Sequence, residues 1–146
     1  ERIADADIIV IGPGSLYTSI IANLIIPDIS EAIINSRAKK VFICNIMSEE
    51  GETDRLDCYG HLEKITDHVK NLKIDYMLIN NKIIESDILE RYDREHKHPV
   101  YVDDSQRTKI RELGVQIIED NLLRVSETGQ IMHDSEKVAR ILLDIL

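Results

Sequence analysis

The sequence predicts an α/β domain of three layers, αβα, built around a mostly parallel β-sheet. Short runs of Ile, Val and Leu alternate with helical segments along the whole chain, which is the pattern of βαβ units. The runs are apolar throughout rather than alternating with polar residues, as is typical of parallel strands buried on both faces. No repeat or long linker interrupts the 146 residues, so residues 1–146 are predicted to form a single domain.

The strands are predicted from their length and their β-branched content. The first is a run of Ile and Val that ends at a glycine, and the others are similar short runs. A further strand is predicted inside an otherwise irregular stretch after the last strand of the sheet. The five predicted strands of the sheet are residues 7–12, 40–45, 75–80, 99–103 and 115–118, and the further one is residues 122–125.

The helices are predicted from apolar residues spaced three and four positions apart. Pro27 ends the first helix, Asp104 caps a later one and Gly114 closes it. The charged stretch 90–98 is interpreted as a solvated loop or helix end. The predicted helices are residues 16–24, 27–37, 56–72, 86–95 and 104–113, with a last one that begins at Asp134 or Ser135.

Composition limits the possible partners. The formal net charge is −9, so bulk electrostatics argues against nucleic acids and anionic membranes, and a phosphate ligand must be held by local groups. The apolar runs are far shorter than the roughly 20 residues that span a bilayer. The two cysteines, Cys44 and Cys58, lack the spacing of a metal site and indicate a reducing compartment, so we expect a cytoplasmic protein without disulfides.

Polar, turn-rich segments follow the first four predicted strands. In open parallel sheets, ligands bind beyond the carboxyl ends of the strands. The connections that enter the strands have the composition of plain surface, so the sequence predicts a ligand site at the carboxyl edge of the sheet. The segments that should meet there are residues 12–15, 45–53, 80–81 and 103–104.

The strongest motif is the turn from the first strand into the first helix, residues 12–15 (Gly-Pro-Gly-Ser). Glycine lets a ligand approach the backbone closely, and a helix start presents unpaired N–H groups with partial positive charge. Ser15, Thr18 and Ser19 add hydroxyl donors, so the motif predicts a phosphate cradle. It is neither a P-loop nor the six-residue dinucleotide fingerprint. A tight turn with a serine cap and no ligand explains the same spacing.

The second motif is the polar loop of residues 45–54. Long polar loops after strands often carry function, and Glu52 or Asp54 could hold a ribose or a metal ion or act as a general base. The alternative is an acidic loop that caps the following helix through Thr53 or Asp54. Both interpretations stay open on the residues alone.

Other positions also have two interpretations each. Asn80 could hydrogen-bond a sugar or a base, or it could be a turn residue. Asp103 could bind a ligand hydroxyl or cap the next helix. His133 with Asp134 could be an acid–base pair, or Asp134 could be a helix cap beside an unrelated histidine. His61 falls on the amphipathic helix close to the polar loop and is a further candidate.

Several of these segments, taken in order, resemble the YvcK-like proteins of the CofD-like superfamily, which are known as gluconeogenesis factors. The resemblance covers nearly the whole chain and implies a Rossmann-like fold. It also implies that the chain is the C-terminal half of a longer protein, in keeping with its start at Glu1 rather than at Met. The segments that carry it are residues 6–21, 44–47, 51–54, 75–80 and 133–134.

The resemblance implies a regulator of bacterial carbon metabolism and cell shape that binds UDP-sugars and requires no catalysis, no cofactor and no magnesium. The alternative is a CofD-like transferase that moves a phospholactyl group onto a deazaflavin precursor of coenzyme F420, with Asp54 or another loop carboxylate holding a divalent ion. A third interpretation is a scaffold with a vestigial site. Exposed sheet edges are expected to favour a homodimer.

The resemblance also implies which residues bind the ligand. The glycine turn and the helix start would hold phosphate, the polar loop would line the sugar or nucleoside pocket, and two residues would lie at its margin. Members of the family commonly carry a basic residue just before the His-Asp pair, where this chain has Met132. The expected ligand-binding residues are Gly12, Pro13, Gly14, Ser15, Tyr17, Thr18, Ser19, Asn45, Met47, Gly51, Glu52, Thr53, Asp54, Asn80 and His133.

Overall fold

The centre of the molecule is a parallel sheet of four strands that lie side by side in chain order. The structure is a computed structural model that describes residues 2–146, so Glu1, the first residue of the predicted domain, lies outside the described residues. Every neighbouring pair in this sheet is parallel, which confirms the predicted α/β class. The strands are β1 (Ile8–Ile11), β2 (Lys39–Ile43), β3 (Tyr76–Asn80) and β4 (Gln116–Asp120).

Helical segments connect the strands. The first runs from Leu16 to Leu24; its Leu16–Ile21 part has wide π-helical turns and its end is the short helix α1 (Ala22–Leu24). Pro27 then opens the next helix at a position where the missing N–H costs nothing. The remaining helices are α2 (Pro27–Asn35), α3 (Cys58–His68), α4 (Ser86–Asp93), α5 (Asp104–Glu112) and α6 (Ser135–Ile145).

The sheet is buried between two layers of helices. Successive residues of β2 point to opposite faces: Phe42 packs into one core, and its neighbours Val41 and Ile43 pack into the other. Right-handed crossovers that all step in one direction place the connecting helices on the same face. The first core therefore holds residues of the Leu16–Leu24 segment, α2, α3 and α5, and the second is covered by α6.

The strand predicted at residues 99–103 is wrong. Pro99 makes only an isolated antiparallel bridge with Met47, and Val100 donates its N–H to the Ile46 carbonyl (2.9 Å). Proline has no N–H for a ladder, and β3 pairs directly with β4, which leaves no place for another strand between them. The segment instead runs along the loop that follows β2 and buries Val100 against the core.

A small antiparallel hairpin follows β4, formed by β5 (Leu123–Val125) and β6 (Ile131–His133). The strand predicted at residues 122–125 is confirmed as β5, whereas β6 was not predicted. The backbone N–H of Asp134 donates to the Leu122 carbonyl (2.7 Å), which fixes the base of the hairpin beside the end of β4. This hairpin determines where His133 lies.

Both cysteines are free and buried, and their Sγ atoms lie 3.8 Å apart.

Within residues 2–146, β1 and β4 are the edges of the main sheet, and the homodimer expected from exposed edges stays a prediction. No single helix in this part of the chain is long and apolar enough to cross a membrane. The helical segments Leu16–Leu24 and Pro27–Asn35 have the required length and apolarity only when they are taken together, and the angle between them is 75°.

Asn80 ends β3 and holds the neighbouring connections in place. Its side chain is buried (3% exposed). Its Oδ1 accepts from the N–H groups of Leu122 (3.1 Å) and Lys82 (3.3 Å), and its Nδ2 donates to the Lys82 carbonyl (2.9 Å). The amide therefore joins the loop after β3 to the start of the β5–β6 hairpin.

We expect Asn80→Ala to lower the free energy of unfolding by about 1–3 kcal/mol, because it removes the three hydrogen bonds that the buried amide makes to the backbone of Leu122 and Lys82. Urea denaturation of both proteins measures the difference. The matched control is Asn81→Ala, which removes an exposed side chain at the next position and should change the stability by less than about 0.5 kcal/mol. Equal effects of the two substitutions would contradict this role for Asn80.

Candidate ligand pocket at the carboxyl edge of the sheet

A pocket of about 370 Å³ lies beyond the carboxyl ends of β1 and β2. Its volume is within the range of roughly 300–1,000 Å³ that small-molecule sites occupy. It lies at the edge where the sequence predicts a site, because the strands are parallel and their carboxyl ends meet there. The pocket is lined by Pro13, Gly14, Asn45, Ile46, Met47, Ser48, Glu49, Tyr92, Lys97, Ile131, Met132 and His133.

Gly12 is required for the turn that forms one wall. Its φ is +81°, and a Cβ at this position would lie 3.0 Å from the Ile43 carbonyl oxygen. A larger residue would therefore meet both a strained backbone and a collision with the neighbouring strand. The Gly12–Pro13 peptide bond is cis, and the chain then passes Pro13 and Gly14 along the pocket.

Asn45 joins the two loops that form the pocket. The Gly14 N–H donates to Asn45 Oδ1 (3.4 Å), and Asn45 Nδ2 donates to the Gly14 carbonyl (3.0 Å). This reciprocal pair fixes the loop after β1 to the end of β2. The side chain predicted to contact a sugar or nucleoside is thus held by backbone, and it orients the pocket wall.

The helix start beside the pocket carries a small polar cluster, which we call the Ser15 cluster: Ser15, Thr18, Glu49 and Glu52. Ser15 Oγ lies 2.6 Å from Glu49 Oε2 and 2.7 Å from Glu52 Oε2. Thr18 Oγ1 donates to Ser15 Oγ (2.7 Å). Two of the three hydroxyls predicted to bind phosphate, those of Ser15 and Thr18, therefore already have partners in the protein.

The carboxylates of the Ser15 cluster change the electrostatics of the predicted phosphate cradle. A helix N-terminus stabilises nearby negative charge, and here Glu49 and Glu52 supply it. A phosphate at the same place would be repelled by them and would compete for the same positive end of the helix. The amides of residues 16–18 begin the helix and carry no intrahelical acceptor, as at any helix start.

The other polar residues of the acidic loop make hydrogen bonds within the loop itself. The Glu49 N–H donates to Thr53 Oγ1 (2.8 Å), and Thr53 is fully buried. The Gly51 N–H, at φ +77°, donates to Asp54 Oδ2 (2.9 Å). Neither Thr53 nor Asp54 caps α3, as one interpretation had it, because Asp57 does so by accepting from the Gly60 N–H (2.6 Å). Gly51, Thr53 and Asp54 do not line the pocket.

His133 lies in the pocket wall at the end of β6. Its Nε2 lies 3.1 Å from the Cys44 carbonyl oxygen, so Nε2 carries the proton and donates it. Burial lowers the pKa of the imidazole, which opposes its charged form. Asp134 does not pair with His133; it caps α6 by accepting from the Lys137 N–H (3.2 Å). Of the two interpretations of His133 and Asp134, the structure therefore supports the helix cap rather than the acid–base pair.

Other predicted residues lie away from the pocket. Tyr17 packs edge-on against His68 with the ring centres 6.2 Å apart. Ser19 lines a separate groove beside β1 together with Gly12 and Pro13. Asp103 follows no strand of the sheet; it forms a capping box at the start of α5 by accepting from the Gln106 N–H (2.8 Å). Asn80, as described above, is buried at the end of β3.

His61 is fully buried in α3 and faces no described pocket. Its Nδ1 lies 2.8 Å from the Asp57 carbonyl, to which it donates. Desolvation lowers its pKa, and its Nε2 has no hydrogen-bond partner in the described part of the chain. A neutral imidazole in this position fits the core.

The structure adds pocket residues that the sequence did not single out. Tyr92, at the end of α4, accepts from the Ile131 N–H through its hydroxyl (2.8 Å). Lys97 follows it on the loop that was interpreted as solvated, and Ser48 and Glu49 come from the polar loop. The only feature of the sequence that could have pointed to Tyr92 and Lys97 is the charged stretch 90–98. Nothing in its residues shows that it folds back onto the loop after β2. No three His, Cys, Asp or Glu side chains in residues 2–146 form a metal-holding cluster.

The parallel sheet with helices on both faces defines a Rossmann-like α/β domain, and the pocket lies at the edge where such sheets bind ligands. Residues 1–123 match the family model described as 2-phospho-L-lactate transferase CofD, and the chain belongs to this CofD-like family. The family relationship agrees with the resemblance seen in the sequence.

Relatives and a solved structure narrow the comparison. The chain is 39% identical over 146 residues to the gluconeogenesis factor of Bacillus subtilis, covering 100% of the chain and 45% of that protein. It is 40% identical over 144 residues to the gluconeogenesis factor of Halalkalibacterium halodurans, covering 99% and 44%. A UPF0052-family crystal structure from Bacillus halodurans superposes with a TM-score of 0.89 at 39% identity, covering 97% of this chain and 44% of that one. The chain thus spans less than half of these relatives and corresponds to a C-terminal part of them.

We expect stability to fall as the pH drops from about 7.5 to about 5.5. The pKa values of His61 and His133 are lowered from 6.5 in the folded protein. The unfolded chain therefore binds more protons below about pH 6.5, and stability is lost as the pH falls towards the folded values. Urea denaturation at both pH values measures this.

His133→Gln should reduce this pH dependence, because an amide can donate to the Cys44 carbonyl without titrating. His96→Asn is the control, since His96 is exposed and Asn tolerates its φ of 53°. An unchanged pH dependence in His133→Gln would show that the buried imidazole is not a source of the effect.

Proposed function

We propose that this domain binds a nucleotide-sugar of the UDP class in the carboxyl-edge pocket, as part of a cytoplasmic regulator of bacterial carbon metabolism and cell shape. The observation that carries the proposal is the pocket itself, about 370 Å³ between Gly14, Asn45 and His133. It lies where Rossmann-like sheets bind nucleotides. Relatives that cover the whole chain are named gluconeogenesis factors.

The pocket offers different chemistry at its two ends. At one end Gly14 lines the pocket, and the helix start that follows it, beside the pocket, would provide backbone N–H groups for a phosphate oxygen. At the other end Met47, Ile131 and Met132 give apolar surface, with the Tyr92 ring beside them, against which a uracil or a sugar ring can pack. Because the relatives are more than twice as long as this chain, we expect the remaining wall to come from the rest of the protein.

A regulatory role is supported by the state of the polar pocket residues. Asn45 is bonded to Gly14, and His133 donates to the Cys44 carbonyl. Asp134, which follows His133 but does not line the pocket, is used as a helix cap. These groups orient the walls of a binding site, and none is arranged as a nucleophile with an adjacent base.

The second candidate is a CofD-like transferase, and the Ser15 cluster favours it. Two carboxylate oxygens lie 2.6 and 2.7 Å from one hydroxyl, and such oxygens, together with substrate phosphates, are typical ligands of Mg²⁺. A bound ion would turn the repulsion between Glu49, Glu52 and a phosphate into attraction. The matching family model is described as a transferase.

Calorimetric titration of the full-length protein with UDP-N-acetylglucosamine, with and without Mg²⁺, separates the candidates. We expect binding in the absence of metal, with little change when Mg²⁺ is added. Binding only with Mg²⁺, or turnover with a deazaflavin acceptor, would favour the transferase. Absence of binding under both conditions would contradict the proposed ligand class and leave the scaffold interpretation.

The Ser15 cluster gives a second test by charge removal. In a metal-independent site, Glu52→Gln should tighten UDP-sugar binding about three- to tenfold, or about 1 kcal/mol, because a negative charge near the phosphate is lost. The matched control is Glu50→Gln on the same loop, which is exposed and should leave affinity unchanged. A Mg²⁺-dependent loss of affinity in Glu52→Gln would instead place an ion at the cluster and contradict the metal-free site.

A further inference from the structure

Lys97 is the one lysine or arginine among the residues that line the carboxyl-edge pocket. The pocket otherwise has an acidic surrounding: Glu49 lines it, and Glu52 lies beside Glu49 at Ser15. The whole chain carries a net charge of −9. A phosphate that enters this pocket therefore needs a positive side chain in addition to the helix amides.

The backbone of Lys97 is fixed in the pocket wall from both sides. Its N–H donates to the Tyr92 carbonyl (3.0 Å), and the Tyr92 hydroxyl accepts from the N–H of Ile131 (2.8 Å), which also lines the pocket. On its other side, His98 and Ser48 exchange two hydrogen bonds of 2.7 and 2.8 Å. The lysine is thus presented by an anchored segment between the hairpin and the loop after β2.

The ammonium group of Lys97 forms a surface ion pair that costs little to break. Lys97 Nζ lies 2.7 Å from Glu95 Oε2, and the Glu95 side chain is 61% exposed. Water competes for such a surface pair, so it contributes little to stability. Nζ also lies 6.0 Å from the centre of the Tyr92 ring, and Lys97, Glu95 and Tyr92 also line a neighbouring groove.

We propose that Lys97 supplies the positive charge that holds the phosphates of the ligand, and that Glu95 pairs with the ammonium group until a ligand arrives. The proposal rests on the proposed function in that it concerns the same pocket. An ammonium group is a strongly hydrated point charge that pairs with phosphate oxygens without demanding a fixed geometry. Lys97 would then select phosphorylated ligands over neutral ones of similar shape.

The test is calorimetric titration of the full-length protein with two probes, UDP-N-acetylglucosamine and inorganic pyrophosphate. We expect Lys97→Met to weaken both about 10- to 100-fold, as the loss of a charged hydrogen bond would, and to reduce the salt dependence of binding. Lys70→Met is the matched control, because Lys70 is 75% exposed outside the pocket and should leave both affinities unchanged.

Two further variants keep the test independent of folding damage. Met132→Arg places a cation on the same pocket wall, where Met132 is 45% exposed, and should restore much of the affinity to Lys97→Met. Glu95→Gln keeps Lys97 and releases it, so binding should tighten or stay equal. Failure of the rescue together with weaker binding in Glu95→Gln would point to a structural role and overturn the proposal.

The two probes distinguish failure of this inference from failure of the proposed function. Pyrophosphate binding that depends on Lys97, with no binding of the UDP-sugar, would contradict the proposed ligand and support the phosphate role of Lys97. UDP-sugar binding that is the same in Lys97→Met and the wild type would overturn the role of Lys97 and leave the proposed ligand standing. Absence of binding of either probe would overturn both.

Discussion

The pocket depends on the reciprocal hydrogen bonds between the Asn45 side chain and the Gly14 backbone. They can form because β1 and β2 are adjacent and parallel, so that the loops after both strands leave the sheet at the same edge. Gly12 brings the first loop close enough, since a side chain there would meet the Ile43 carbonyl. Without this link the turn after β1 and the polar loop would be free to separate.

Charge decides what such a pocket can hold. The helix start after Gly14 attracts anions. The carboxylates of Glu49 and Glu52 already lie there, within hydrogen-bonding distance of the Ser15 hydroxyl. The pocket therefore balances two carboxylates against the helix amides and Lys97. A neutral sugar alone would gain little from this arrangement, whereas a phosphorylated ligand that recruits Lys97, or a cation that bridges the carboxylates, would change the balance directly.

The parallel sheet could be predicted from the residues, because apolar β-branched runs and helical spacing are local properties, and Gly12 could be predicted as a turn residue for the same reason. The prediction of a strand at residues 99–103 was wrong because the position of Pro99 and the direct pairing of β3 with β4 depend on tertiary contacts. Tyr92 is placed in the pocket wall by its contact with Ile131, and Lys97 by the contact of its neighbour His98 with Ser48, and both contacts join residues more than thirty positions apart. The residues alone also could not show that Ser15 binds two carboxylates.

We propose that the space between Gly14, Asn45 and His133 holds a nucleotide-sugar through its phosphates. The most direct measurement is a crystal structure of the full-length protein grown with UDP-N-acetylglucosamine. We expect diphosphate density within hydrogen-bonding distance of the amides of residues 16–18 and of Lys97 Nζ. Ligand density elsewhere on the protein, with this pocket filled only by solvent, would contradict it.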